Sequence, residues 1–190
     1  MSLLPIVTIP SPNLRERSRE ITETEILVFD TQQFIKNMIP AMYENDGIGL
    51  AAPQVDQNIR VCIIGALAIN SDERPDTKID RTQHKKDLVL INPQYQKISK
   101  KYTTESEGCL SVPGFYGEVK RYSELYVTAL NEQGEKIEFT AKNFFARVIQ
   151  HEIDHLNGIL FIDRAVDLYA TKDKKKLATD VVMDNIRRVS

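Results

Sequence analysis

Between Asn143 and Asn157 the chain carries an apolar stripe at helical spacing, Phe144, Phe145, Val148, Ile149, Ile153 and Leu156. Asn143 is placed to serve as N-cap and Asn157-Gly158 as a stop. Set into this stripe is His151-Glu152-Ile153-Asp154-His155. This feature constrains the fold most, because a helix with such a stripe has to be covered, and what covers it has to leave its histidines usable. Four residues apart, the two imidazoles emerge on one face about a turn from each other, which fits a single metal ion. Glu152 lies one residue round the helix, where it can reach a water on that ion as general base without displacing a ligand. Only three histidines occur in the whole chain. Two of them at this spacing argue against a surface helix with unrelated histidines.

The rest of the sequence supplies helices and strands around that element. Prolines at 5, 10 and 12 make the first dozen residues an extended strap. From Thr24 to Asn45, Ile26, Leu27, Phe34, Ile35, Met38, Ile39 and Met42 recur at three and four, which predicts an amphipathic helix kinked or restarted at Pro40. Strands are predicted at Arg60–Ile64, Leu88–Pro93, Gln96–Tyr102, Leu125–Leu130 and Lys136–Thr140, the last two joined by the turn Asn131-Glu132-Gln133-Gly134. The charged stretch 66–87 reads as a loop long enough to hide a short element. Leu177, Val181, Val182 and Ile186 predict a C-terminal helix over about 171–188. The order of elements gives an α+β fold, antiparallel strands packed around the central His-Glu-x-x-His helix, with an N-terminal and a C-terminal helix, in one catalytic domain spanning 1–190.

A catalytic metal site takes three protein ligands and leaves a position open, so a third ligand is required. A downstream Glu or a further His would serve in other His-Glu-x-x-His proteins, but Leu156-Asn157-Gly158-Ile159-Leu160 does not continue the longer histidine pattern. Upstream lies Glu105-Ser106-Glu107-Gly108-Cys109-Leu110-Ser111, where Cys109 sits in a polar segment that suits a thiolate, whereas Cys62 sits in an apolar run that suits an inert core thiol. Cys109 is therefore the candidate ligand. The segment Gly47-Ile48-Gly49-Leu50-Ala51-Ala52-Pro53-Gln54 lacks the lysine and spacing of a phosphate loop, and its glycines allow close approach of another backbone or a substrate. Beside a metal, the Gln54 amide becomes a candidate donor to an oxyanion.

Charge and composition narrow the function further. Lys and Arg total 25 against 27 Asp and Glu, a net charge of −2, which excludes a charge-driven nucleic-acid binder, DNA included. No apolar run reaches membrane-spanning length and the first residues carry no targeting pattern, so a cytoplasmic protein without a membrane partner is expected. Two cysteines make no disulfide framework.

Taken together, Gly47 to Gln54, Glu107 to Ser111 and Gln150 to His155 resemble the GxGxAAxQ, EGCLS and QHExDH motifs of the peptide deformylase family. The likeness runs from Ile9-Pro10-Ser11-Pro12-Asn13-Leu14-Arg15 to Phe161-Ile162-Asp163-Arg164. It implies removal of formate from N-formylmethionyl peptides by a divalent ion held by Cys109, His151 and His155, Fe2+ natively with Zn2+, Ni2+ or Co2+ as substitute. Glu152 would act as the base, with Gln54 and the Leu110 backbone N–H meeting the oxyanion. It further implies that Ile48, Gly49, Glu107 and Gly108 line the methionine pocket, that Arg121 pairs with Glu107, and that Asp154 orients the metal ligands. The C-terminal helix, with Lys172, Lys174, Lys175, Lys176, Arg187 and Arg188, would dock on the ribosome near the nascent-chain exit. Tyr116 stands where many relatives have a substrate-contacting Arg, and the stretch 66–87 is longer than in the family. Two competing readings are a zinc endopeptidase, which would use an acidic third ligand, and a silent metal-bound ribosomal module, which would need neither Glu152 nor Gln54.

Overall fold

The computed structural model of the chain describes residues 4–69, 86–170 and the backbone of 176–177. Two antiparallel sheets flank the histidine helix. The larger has the order β1-β2-β3-β6-β7, built from β1 (Gly49–Ala51), β2 (Val61–Ile64), β3 (Leu88–Lys97), β6 (Glu124–Leu130) and β7 (Lys136–Lys142). The smaller has the order β4-β5-β8-β9, from β4 (Tyr102–Cys109), β5 (Val112–Tyr122), β8 (Asp167–Ala170) and β9 (Lys176–Leu177).

Both faces of the larger sheet are covered near β2, so β2 is buried at every position. Its Val61 and Ile63, with Val89 and Ile91 of β3, turn to α2 (Phe29–Glu44), which contributes Ile35, Met38 and Met42. Its Cys62 and Ile64, with Leu90, Leu125 and Val127, turn to α4 (Asn143–Leu156), whose Ala146, Ile149, Ile153 and Leu156 fill the other half of the core. A third cluster joins Leu14, Val112, Val119, Leu160, Phe161 and Leu168 under the smaller sheet. The α+β architecture and the central helix therefore stand as expected from the sequence.

The end of α4 is fixed with unusual completeness. Gly158 takes a left-handed φ of 72°, its N–H bonds the His155 carbonyl at 3.1 Å, and the Ile159 N–H bonds the Asp154 carbonyl at 2.9 Å, the paired bonds of a Schellman cap. A Cβ at Gly158 would lie 2.4 Å from the Arg15 carbonyl oxygen, so the turn that follows the strap crosses the helix end at a distance only glycine permits. Arg60 adds bonds to the Leu156 carbonyl at 3.1 Å and the Asn157 side chain at 2.9 Å. Asn143, expected as N-cap, is instead the first helical residue, entered through a φ of 46°.

Other boundaries move for identifiable reasons. The N-terminal helix is two elements, α1 (Glu23–Leu27) and α2, parted at Val28, whose ψ of 147° is extended, while α2 runs on through Pro40. Gln32 stabilises this break by donating to the Ile26 carbonyl at 2.8 Å. The Gln96–Tyr102 strand is not formed: β3 continues through a bulge at Asn92 and Pro93 to Lys97, and the chain turns before β4 begins at Tyr102. The stretch 66–87 opens with the short helix α3 (Ala66–Ile69), and residues 70–85 lie outside the described residues. In the expected C-terminal helix, Lys176 and Leu177 pair with β8 as a strand, and the remainder of 171–188 lies outside the described residues.

Candidate active site

Helix α4 and the β4–β5 hairpin meet with their chemistry facing inward. At the end of β4 the register slips between Gly108 and Cys109, turning the Cys109 thiol toward α4. Its Sγ lies 3.2 Å from His155 Nε2, and one ligand atom from each of Cys109, His151 and His155 falls within 4.8 Å of the others. His151 Nδ1 is 3.0 Å from Glu107 Oε2, which leaves Nε2 as its ligating atom and fixes the ring. One sulfur and two imidazole nitrogens suit a borderline divalent transition metal, and three ligands leave room for a water or substrate. Glu152 supports the same fit, because its Oε2 is buried without a hydrogen-bond partner among the described residues. Burial pushes the Glu152 carboxyl up to about 7.

Gln54 approaches from the larger sheet's edge. Its Oε1 accepts the Ala51 N–H at 2.9 Å, so its amide NH2 points the other way, 3.2 Å from Ser111 Oγ and 3.5 Å from Cys109 Sγ. Gly49 passes directly against Glu152, since a Cβ there would lie 2.3 Å from its Oε1. Between the edge strands β1 and β4 opens a cavity of about 420 Å3. Ile48, Gly49, Gln54, Glu107, Gly108, Cys109, Leu110, His151 and Glu152 all line it, with Phe115, Tyr116 and Phe144 among their neighbours. His155, Arg121 and Asp154 stand behind this lining and are buried.

Behind the lining is a continuous set of buried charges. Arg121 donates from Nε and Nη2 to the two oxygens of Glu107, both at 2.9 Å, and from Nη1 to Asp154. Burial alone would push the Glu107 carboxyl up, but Arg121 and His151 hold it well below the usual carboxylate range. Arg164, itself exposed, completes Asp154 from outside this set at 2.5 and 2.7 Å.

The family model for polypeptide deformylase matches residues 3–171. Peptide deformylase 1 of Vibrio vulnificus is 39% identical over 178 residues, covering 93% of this chain and 95% of the relative. The chain belongs to the peptide deformylase family. A relative from Desulforudis audaxviator is 36% identical over 91% of this chain and all of its own length. Among solved structures, a class I type b peptide deformylase from Acinetobacter baumannii with Met-Ala-Ser bound matches with TM-score 0.75 and 34% identity, covering 86% of this chain and 98% of that one. The Thermotoga maritima peptide deformylase matches with TM-score 0.72 and 32% identity over 87% and 99%. Like the rest of the deformylase family, the chain is a metal-dependent amidohydrolase that removes the N-formyl group from nascent peptides.

Arg147 escaped the sequence reading, and Gln150 was named there only as part of its motif, without a role. Arg147, 3% exposed, donates to Glu107 Oε1 at 2.6 Å. Gln150 grips Tyr122 of β5 at both its N–H and its carbonyl, at 3.0 and 2.9 Å. The available signal was position, since 147, 150, 151 and 154 share one face of a helix.

Proposed function

We propose that this chain deformylates N-formylmethionyl peptides with Cys109, His151 and His155 as the ligands of one divalent ion, Glu152 as general base and then general acid, and Gln54 and the Leu110 backbone N–H as oxyanion donors. The observation that carries this reading is the convergence of a thiol and two imidazoles within 4.8 Å beside a cavity that also presents Glu152. Fe2+ is the native ion in this reading and Zn2+, Ni2+ or Co2+ its substitutes, because the donor set accepts them all and availability decides occupancy. Bound there, the ion supplies Lewis acidity.

The chain's own groups do the rest. Glu152, with one oxygen unpaired, takes a proton from the attacking water and delivers it to the departing nitrogen as the formyl C–N bond breaks, leaving formate and a free amine. The Gln54 amide is already locked by Ala51, so its N–H donors need no reorganisation when charge gathers on the formyl oxygen. Ile48, Gly49, Glu107 and Gly108 wall the space for the methionine side chain, and the edges of β1 and β4, which pair with no further strand among the described residues, offer ladder bonds to an extended peptide. The similar Acinetobacter enzyme with Met-Ala-Ser bound supports this substrate class. Arg121 and Asp154 act behind the ligands by holding Glu107 and α4 in place.

The test is anaerobic formate release from formyl-Met-Ala, abolished by a chelator and restored by Fe2+. Glu152→Ala should keep its metal and lose turnover; near-parent turnover in that variant would remove Glu152 from the role of base.

The reading extends to the cytoplasm and the ribosome. No helix among the described residues is long and apolar enough to cross a membrane. Lys172, Lys174, Lys175, Lys176, Arg187 and Arg188 give the segment after β8 a charge suited to rRNA phosphates. Because Lys176 and Leu177 pair with β8, truncation after Ala170 would strip a strand from the smaller sheet, and the clean test is exchange of Lys172, Lys174, Lys175, Arg187 and Arg188 for Gln. It should spare small-peptide turnover and weaken ribosome binding, and unchanged ribosome affinity would dismiss the contact.

A further inference from the structure

The three proposed ligands come from two bodies. His151 and His155 ride on α4, whose apolar face belongs to the core of the larger sheet. Cys109 ends β4, in a sheet that shares no ladder with the larger one. The hairpin's buried Val112 and Val119 belong to a separate apolar cluster from that of α4. Half-buried Tyr122, at the far end of β5, packs against the cluster of α4, and Leu110, beside the cysteine, against that of α2; between them the hairpin faces α4 through polar groups, so polar contacts set the distance from thiol to imidazoles.

Those contacts lie on one stripe of α4, at Arg147, Gln150, His151 and Asp154. Arg147 reaches furthest. Its Nη1 donates to Glu107 Oε1 at 2.6 Å and to the Val119 carbonyl at 2.9 Å, and its Nη2 donates to the Thr103 carbonyl at 2.9 Å and to Thr103 Oγ1 at 3.0 Å. All four terminal N–H groups are thus spent on the hairpin, on both β4 and β5. The Nε lies 3.3 Å from Glu105 Oε2, a second hairpin carboxylate on the same strand. Glu107 in turn accepts from His151 Nδ1, so the guanidinium sits one group away from a histidine and two residues along β4 from the cysteine. A planar fork with fixed donors can define a distance in this way, where a single ammonium cannot.

We propose that Arg147 is a positioning residue that docks the Cys109 hairpin against the histidine helix and thereby controls thiolate ligation. The inference rests on the metal-centre reading above. Without Arg147, the two histidines remain paired on their helix, and the sulfur is no longer delivered to them.

The experiment uses the full chain loaded with Co2+, comparing parent, Arg147→Met, Arg147→Lys and Arg164→Met at a temperature where each is folded by circular dichroism. Three quantities are read: the near-ultraviolet sulfur-to-cobalt charge-transfer band, the Co2+ dissociation constant, and the rate of thiol labelling. Cys62 is fully buried, so labelling reports on Cys109. Arg147→Met is expected to lose most of the sulfur band, to bind Co2+ about 10–100-fold more weakly, and to label correspondingly faster. Arg147→Lys keeps the charge but cannot span Thr103 and Val119, and should show the same defects in smaller measure; it carries the test if the Met variant does not fold. Arg164→Met removes a guanidinium of the same network that bonds Asp154 and, among the described residues, nothing on the hairpin, and should match the parent. Parent-like band, affinity and labelling in the Arg147 variants, with only thermal stability lowered, would overturn the proposal. Absence of a sulfur band in the parent would overturn the metal-centre reading and this inference with it.

Discussion

Gly49→Ala tests how closely the edge of the larger sheet is fitted to the proposed base. Gly49 sits in the extended strand β1, paired with Ile64, so an alanine meets no backbone obstacle there. Its methyl would lie 2.3 Å from Glu152 Oε1, 2.8 Å from Cδ and 3.0 Å from Cγ, all inside ordinary van der Waals contact. Relief requires the carboxylate to withdraw by about 1 Å, a displacement of a reacting group that costs about 10²-fold in rate, or about 2.7 kcal/mol of transition-state stabilisation. The metal ligands are untouched, so metal content and melting temperature should stay at parent values. The assay is steady-state formate release from formyl-Met-Ala with metal stoichiometry measured on the same samples; the loss should fall mainly on kcat, because the nearest atoms to the new methyl belong to Glu152, and any change in KM reports the methyl's addition to the pocket wall. In a Glu152→Ala background the added methyl has nothing to displace and should cost nothing further. A Gly49→Ala enzyme with kcat close to the parent, or one whose loss persists undiminished beside Glu152→Ala, would refute the reasoning.

Gln54→Ala should lower turnover about 10²–10³-fold while keeping the metal, as for other oxyanion donors; parallel loss of metal in elemental analysis would give Gln54 a structural role instead. Arg121→Met leaves Glu107 and Asp154 each short of a buried partner and should destabilise the chain by about 3–5 kcal/mol in denaturant titration; a loss below about 1 kcal/mol would mean Arg147 and Arg164 suffice. Burial and the bond to Asp87 push the Tyr43 phenol up to about 12, so the folded state favours its neutral form. That stabilisation is present below the unfolded pKa of about 10 and is lost as pH rises toward 12, amounting to about 1 kcal/mol after allowance for solvent screening. Tyr43→Phe should flatten this alkaline slope, and an identical slope in both proteins would contradict it.

The histidine helix was readable because its two signals agree: an apolar stripe at helical spacing, and a glycine where the Schellman turn needs a left-handed residue. The hairpin that supplies Cys109 was not. In β4 Thr103, Glu105 and Glu107 contact Arg147 rather than an apolar layer, so the strand shows no alternation of apolar and polar residues. In β5, Pro113, Gly114 and Gly117 read as turn residues; Gly117 is required because a Cβ there would lie 2.7 Å from the Ala165 side chain. Gly49 to Ala51 likewise reads as a turn, although these residues form the free edge strand beside Glu152. Arg147 was invisible for a related reason. An arginine on a mostly apolar helix reads as solvent-facing until the polar hairpin it serves has been placed.

The amino-terminal strap gives the fold an unexpected reach. Its Val7 N–H bonds the Gln54 carbonyl at 2.8 Å, and its Ile9 N–H bonds the Ser111 carbonyl at 2.9 Å. One ribbon thus tethers the residue proposed to receive the oxyanion and the segment just past the cysteine, which follow edge strands of different sheets. Trimming the front of the chain, or fusing a rigid partner close to it, is for this reason an alteration of the pocket carried out at a distance.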